Sequence, residues 1–192
     1  MSFNFLLDEY PNEVIINEVA YTIESNFKEI LKVLQLHNDN AFSEEEKILN
    51  SISLFYKTEI PHNFQEAYNE MLNFIKMYST DEQNQTKSPS ILDYEIDNRM
   101  IYSAFKQNYR IDLNKENIHW YEFNCLLENL SDNKPKLVQI MEIRAMEIDE
   151  NYSSKHKAKL RKLKREYSLE KQEDICNSFA NSFFLGVKGG QK

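Results

Sequence analysis

The chain has 192 residues, of which 41% are hydrophobic and 28% charged, a balance typical of a folded globular protein and not of a disordered one. Its net charge of −8 is unevenly placed: residues 155–171 carry +6, residues 172–192 sum to zero, and the first 154 residues carry −14. Such an acidic body disfavours general nucleic-acid binding, which depends on neutralising phosphates.

Glycine is absent from the first 185 residues, and the three glycines of the chain all follow that point. Phosphate-binding loops, dinucleotide fingerprints and nucleophile elbows all need glycine backbone geometry, so the sequence disfavours these enzyme classes. Cys125 and Cys176 form neither a metal-ligand spacing nor a disulfide framework. We therefore expect no catalytic residue, no cofactor and no metal site.

The first residues contain no basic region followed by an apolar run, and no stretch of about 20 apolar residues occurs. We expect a cytoplasmic protein with no membrane partner.

The first predicted element is a β-hairpin over residues 12–23, rich in β-branched residues, with Asn17 and Glu18 as its turn. The turn type stays open, because a positive φ is unfavourable for glutamate. Helical spacing of apolar residues then predicts three helices, over residues 26–37, 43–57 and 63–78. Ser43 and Glu46 form a predicted capping box at the start of the second helix.

The polar, aperiodic stretch 80–90 is the best candidate for a linker. Four more helices follow it, predicted over residues 93–109, 115–130, 135–148 and 154–168. The fold class is thus mainly α, a helical domain with a small N-terminal β-hairpin. We divide the chain into a hairpin and helical subdomain (1–79), a linker (80–90), a second helical subdomain (91–150), and a basic helix with a C-terminal tail (151–192).

Two charged residues interrupt apolar helical stripes in the second subdomain. Asp97 stands four residues before Ile101, and Arg144 stands four residues after Ile140. Because a charge that faces a core persists only when it is paired, we predict that Asp97 and Arg144 form a buried ion pair.

The densest aromatic segment predicts a core motif of His119, Trp120, Phe123 and Leu127. A stacking platform for a base and a reactive pair of His119 with Cys125 are the functional alternatives. Residues six apart on one helix lie on different faces, which disfavours the reactive pair. The acidic alternation from Asp93 to Asp97 lacks the glycine and the final glutamate of a calcium loop, so we interpret Asp93 as a helix cap.

The basic helix is either a solvated face or a binding surface, for an acidic protein or for nucleic acid. We favour a protein partner over nucleic acid, because Tyr167 is the one aromatic residue interleaved with the positive charges. The tail that follows it is either one more turn against the chain's own core or a segment that docks on a neighbouring subunit or partner. The candidate partner-binding residues are Lys157, Arg161, Lys164, Arg165, Phe179, Phe183 and Phe184.

Five ordered blocks in the second half resemble the bacteriophage gene-product-fifteen family of siphophages and prophages of Gram-positive hosts. The blocks are Asp93-Tyr-Glu-Ile-Asp97, Ile101-Tyr-Ser-Ala-Phe105, Tyr109-Arg-Ile-Asp-Leu113, His119-Trp-Tyr-Glu-Phe123-Asn-Cys-Leu-Leu127 and Ile143-Arg144. The resemblance covers roughly residues 10–150. It departs from the family at Arg110, where relatives usually place glycine, so the backbone there is expected to differ.

Membership would imply a gene product encoded between the major tail protein and the tape-measure protein. That position implies a tail assembly chaperone that binds apolar helical segments of the tape-measure protein and keeps it soluble during tail assembly. The family supplies no catalytic residues. The runner-up is a structural tail or tail-completion component retained in the virion. Other tail assembly proteins are expected partners, and a homo-oligomer is possible.

Overall fold

The computed structural model describes residues 3–77, 91–130 and 134–169. Within those residues, a two-stranded antiparallel hairpin precedes seven helices, which confirms the predicted mainly α fold with a small N-terminal hairpin. The strands are β1 (Glu13–Ile16) and β2 (Val19–Thr22), and the helices are α1 (Phe27–Asn38), α2 (Glu44–Phe55), α3 (Phe64–Ile75), α4 (Asn98–Tyr109), α5 (Trp120–Glu128), α6 (Lys136–Ala145) and α7 (Ser154–Glu166).

The hairpin turns at the two predicted residues, and both adopt left-handed backbone conformations. Asn17 has φ 51° and Glu18 has φ 66°, the positive φ values that a type I′ turn needs at both central positions. Val14 and Ile16 of β1 are buried, and β1 packs against α3. The Asn17 Nδ2 donates a hydrogen bond of 2.6 Å to the Glu66 carboxylate on α3, so a tertiary contact helps to hold the turn.

The first three helices each begin after a residue whose side chain caps the helix, and the cap of α2 is the predicted Ser43. Asn26, Ser43 and Asn63 are the N-cap residues of α1, α2 and α3, and each side chain accepts a backbone N–H of the first turn. The Ser43–Glu46 capping box is formed in both directions.

The predicted helix over 93–109 begins five residues late, at Asn98. The Asp93 carboxylate accepts the backbone N–H groups of Glu95 and Ile96, each at 2.8 Å. These bonds build a separate turn before the helix, so Asp93 caps that turn and is not the cap of α4.

The helix predicted over 115–130 is also shorter, because α5 begins at Trp120. His119 has an extended backbone and is the N-cap of α5, where its Nδ1 accepts the N–H of Tyr121 at 3.0 Å. The expectation that His119 and Cys125 share one helix is therefore wrong. The helix predicted over 135–148 is shorter as well, because α6 ends at Ala145, three residues before the predicted end.

One cluster of buried side chains extends from β1 to α6, so residues on both sides of the 80–90 segment contribute to it. Phe123 is 1% exposed, and its ring stacks 4.6 Å from that of Phe27 and 5.1 Å from that of Phe105. Two backbone hydrogen bonds add to this packing: the Phe27 N–H donates to Ile118 at 3.0 Å, and the Trp120 N–H donates to Ser25 at 2.7 Å. The start of α1 and the start of α5 are thus joined directly.

Helix α4 ends at Arg110, which has φ 59° and ψ 16° in the left-handed region. Glycine adopts this conformation without steric cost, whereas arginine does not. The backbone at this departure from the family pattern therefore has the geometry that glycine favours, contrary to the expected local difference.

We predict that Arg110→Gly raises the free energy of unfolding by about 0.4–1 kcal/mol, because glycine relieves the strain of a positive φ. The matched control is Arg161→Gly in the middle of α7, where the same exchange should lower stability by about 1 kcal/mol. Urea denaturation midpoints of the two variants check this. A lower midpoint for Arg110→Gly would contradict the assignment of strain to this residue.

Candidate protein-binding site

An apolar pocket of about 230 Å³ lies between α1, α4 and α5. Four buried side chains are in its lining, namely those of Phe27, Ile101, Leu113 and Phe123. The half-buried side chains that line it are Lys28, Leu31, Tyr94 and Tyr102. Because the lining is mainly aromatic and aliphatic, this pocket suits apolar side chains of a partner. We refer to it as the apolar pocket.

Polar contacts around the apolar pocket hold its rim in place. The Tyr102 hydroxyl donates to Asp112 at 3.3 Å, and the Lys28 Nζ donates to the carbonyls of Asn114 and Glu116, each at 3.3 Å. Burial raises the pKa of Tyr94, with a smaller contribution from the Glu128 carboxylate, so this ring stays uncharged at neutral pH.

Asp97 and Arg144 lie side by side next to the apolar pocket. The two guanidinium nitrogens donate to the two Asp97 oxygens at 2.6 and 2.9 Å, and the two side chains are 0% and 7% exposed. The Asp97 carboxylate also accepts the N–H of Asp93 at 3.1 Å. Asn98, the next residue after Asp97, lines the pocket.

The same guanidinium group binds two backbone carbonyls from distant parts of the chain. Nε donates to Tyr167, just after α7, at 2.6 Å, and Nη1 donates to Ile91 at 3.0 Å. These two contacts give the buried guanidinium hydrogen-bond acceptors in addition to the Asp97 carboxylate. A buried ion pair needs such additional hydrogen bonds to offset the cost of removing its charges from water.

The predicted core motif is only partly buried. Trp120 and Phe123 are 3% and 1% exposed, whereas His119 and Leu127 are half-buried. The Trp120 Nε1 donates to the carbonyl of Ile75 at 2.9 Å, which ties α5 to the end of α3. The His119 ring stacks on Tyr10 at 4.8 Å, and its Nε2 lies 3.0 Å from the carbonyl of Pro11.

Of the predicted partner-binding cations of α7, some donate hydrogen bonds within the chain and others are exposed to solvent. Lys164 donates to the carbonyls of Arg144 and Met146 at 2.7 and 2.5 Å, so it caps the end of α6. Lys157 donates to Glu150 at 2.6 Å, whereas Arg161 and Arg165 are exposed. Leu160 is 4% exposed, so α7 packs on the domain through a narrow face. The predicted residues Phe179, Phe183 and Phe184 lie outside the described residues.

Two polar groupings contain side chains of the types used in catalysis. A cavity of about 480 Å³ is lined by amide, hydroxyl and charged side chains, among them Asn12, Ser25 and His119. Elsewhere the Ser51 hydroxyl lies 3.2 Å from His37 Nε2, but Ser51 is 0% exposed, so no substrate atom reaches that hydroxyl in this structure.

In the described part of the chain, none of the helices is both long and apolar enough to span a bilayer. Among the same residues, no three His, Cys, Asp or Glu side chains are grouped so as to hold a metal ion.

The sequence model of the bacteriophage Gp15 protein family matches residues 6–169. The chain belongs to the bacteriophage Gp15 family. No curated protein and no solved structure matches it. The family match spans every helix and strand described above, and it includes the apolar pocket, the ion pair and α7 of this Gp15 family member.

No sequence pattern predicts the apolar pocket of this Gp15 family member. Tyr94, Tyr102 and Leu113 fall within the family-like blocks, but they come from a turn, a helix and a loop, and no single periodicity connects them. Tyr94 and Leu113 each follow an aspartate whose carboxylate accepts backbone N–H groups of the next residues, whereas Tyr102 has no such neighbour.

We predict that Asp97→Ala and Arg144→Ala each lower the free energy of unfolding by about 3–5 kcal/mol, because each leaves a buried charge without its partner. The free energy of unfolding of the double variant should fall by less than the sum of the decreases in the two single variants. Denaturant titration of the full cycle measures this coupling. The control pair is Lys32–Glu29 on α1, with side chains 56% and 32% exposed, and truncation there should move the midpoint little. Additive losses at Asp97 and Arg144 would show that the pair is not coupled.

Acidification is predicted to destabilise the fold through His119. Burial lowers the pKa of His119, and the hydrogen bond to Pro11 only partly opposes this. The unfolded chain therefore takes up the proton first as pH falls below about 6.5, so stability should decrease from pH 7.5 to 5.5. His119→Asn keeps an N-cap acceptor but has no titrating ring, so the stability of this variant should decrease less between pH 7.5 and 5.5. Thermal midpoints at both pH values check this, and equal losses in both proteins would refute it.

Proposed function

We propose that this protein acts in tail assembly as a chaperone that binds apolar helical segments of the tape-measure protein in the host cytoplasm. The observation that carries the proposal is the apolar pocket, a preformed concavity with a buried aromatic floor in a member of a bacteriophage family. A chaperone of this kind binds and releases its client without a chemical step, so we propose no enzymatic activity.

The size and chemistry of the apolar pocket favour a few anchoring side chains over a whole buried helix. A volume of about 230 Å³ accommodates one or two large apolar side chains. An amphipathic helix could insert residues spaced at i, i+3 and i+4 while the rest of the helix stays outside. The half-buried rim residues Leu31 and Tyr102 would then cover the helix face.

Helix α7 offers a second contact for the same client or for another tail assembly protein. Its exposed face presents Lys155, Lys159, Arg161, Lys162 and Arg165. Such a concentration of positive charge speeds the encounter with an acidic surface and adds little to affinity by itself. An acidic body on a second copy of this chain would be attracted in the same way, which is the basis for a proposed homo-oligomer.

Co-expression with the tape-measure protein of the same tail gene cluster tests the proposal. The wild-type chain should increase the soluble fraction of the tape-measure protein and co-purify with it. Leu31→Glu places a charge at the rim of the apolar pocket and should weaken this binding by about tenfold or more, since one buried leucine contributes about 1.5–3 kcal/mol.

The matched control is Leu49→Glu, the same exchange at a 52% exposed position of α2 that does not line the apolar pocket. It should bind like the wild type, and circular dichroism should show that both variants are folded. Equal binding by Leu31→Glu and wild type would remove the pocket from the proposal. The alternative, a structural component retained in the virion, predicts the protein in purified particles by mass spectrometry, where a chaperone should be missing.

A further inference from the structure

We infer that two exposed leucines near the start of the chain, Leu6 and Leu7, insert into the apolar pocket of a second copy of this protein. The contact is head-to-tail, because each copy supplies its leucines at one surface and its pocket at another. The inference does not depend on the tape-measure protein, which enters it only as a competitor for the pocket.

The two leucines stand on an ordered turn over residues 4–8, which we call the leucine turn. Leu6 is 92% exposed and Leu7 is 82% exposed, the two highest values among the large apolar side chains of the described residues. Neighbouring leucines displayed to water in this way form an apolar patch of the kind that marks a protein-binding surface.

Hydrogen bonds and ring contacts hold the leucine turn in place. The Asn4 side chain accepts the N–H of Leu6 at 3.0 Å, and the Asn4 carbonyl accepts that of Leu7 at 3.1 Å. Just before the turn, the Phe3 ring packs edge-on against Tyr121 of α5, with the ring centres 5.0 Å apart. The turn is therefore preorganised, so a partner that binds the leucines does not bear the entropic cost of ordering them.

The leucine turn and the apolar pocket lie on opposite sides of α5 in one copy. The ring of Phe5, within the turn, lies 6.3 Å from that of Tyr121. The pocket is lined instead by Phe123, two residues further along α5, and residues two apart on a helix point in directions about 160° apart. Neither leucine lines the pocket of its own chain, so a second copy is needed to bring the two surfaces together.

The leucine turn matches the apolar pocket in size and in charge. A volume of about 230 Å³ accommodates one or two side chains of leucine size. Among the described residues that line the pocket, Lys28 is the charged one, and the carbonyls of Asn114 and Glu116 hold its Nζ at the rim. Two acidic residues, Asp8 and Glu9, directly follow the leucines, so an inserted turn brings negative charge towards this lysine.

The contact is expected to be weak, because its area is small. A contact confined to two leucines and the rim of a pocket is smaller than the roughly 800 Å² per partner that a stable complex buries. We expect a dissociation constant between about 10 µM and 1 mM. Copies at high concentration then cover one another's pockets, and a client that binds more tightly displaces the leucines by mass action.

Sedimentation velocity of the full-length protein tests the inference without a client. The wild type should self-associate as its concentration rises from about 10 to 500 µM. One variant, Leu6→Ser with Leu7→Ser, removes the leucines, and a second, Leu31→Glu, places a charge at the rim of the pocket. Each variant alone should associate at least about tenfold more weakly than the wild type.

The matched control is Ile15→Ser, which removes a 71% exposed apolar side chain from β1, away from both the leucine turn and the pocket lining. It should associate like the wild type. Circular dichroism checks that every variant is folded. If Leu31→Glu is not, Asn98→Trp takes its place, because Asn98 lines the pocket at an exposed position and a large ring there fills the entrance.

An equimolar mixture of the two variants distinguishes a head-to-tail contact from a symmetric one. The double serine variant keeps its pocket and the pocket variant keeps its leucines, so the mixture should form a heterodimer with wild-type affinity and grow no further. A symmetric contact between identical surfaces would not be restored by mixing.

Three results would each overturn the inference: a wild type that stays monomeric up to about 500 µM, unchanged association in either variant, or a mixture that stays monomeric. Because no tape-measure protein is present, these results are separate from the co-expression test. If both proposals hold, the double serine variant should bind the client at least as tightly as the wild type does, since its pocket is not covered by other copies.

Discussion

The buried guanidinium of Arg144 organises the second half of this structure. It binds the Asp97 carboxylate at the start of α4, the carbonyl of Ile91 and the carbonyl of Tyr167 after α7. A charge in this position is tolerated only because these acceptors are present together. The last turn of α6 is therefore tied to the start of α4, to Ile91 before it and to Tyr167 after α7, so three contacts that are remote in sequence depend on one side chain.

The aromatic centre at Phe123 makes the corresponding connection between the two halves of the chain. Its ring stacks on Phe27 from α1 and Phe105 from α4, while the neighbouring Trp120 binds the carbonyl at the end of α3. Large buried rings contribute apolar area and defined geometry together. The result is one continuous core on both sides of the 80–90 segment, with the hairpin held on its edge by α3.

The apolar pocket follows from these two arrangements. Its floor is the outer side of the aromatic centre, and its wall at Tyr94 and Asn98 adjoins the ion pair. Walls fixed by a buried ion pair and a stacked core reorganise little on binding, which favours a preformed site. In a member of the Gp15 family, the apolar concavity and the separate exposed basic face of α7 both support the proposed binding of another protein.

Sequence signals alone predict the class of fold, the hairpin with its turn, the capped start of α2 and the pairing of Asp97 with Arg144. These depend on local signals: β-branched runs, capping residues, and charges that interrupt an apolar stripe. The packing of distant segments decides that Asp93 builds a turn before α4, that His119 is an N-cap, and that Lys164 closes the end of α6. It alone also decides the position of the apolar pocket, because the pocket is lined by segments far apart in sequence, and no local periodicity records which of their faces meet.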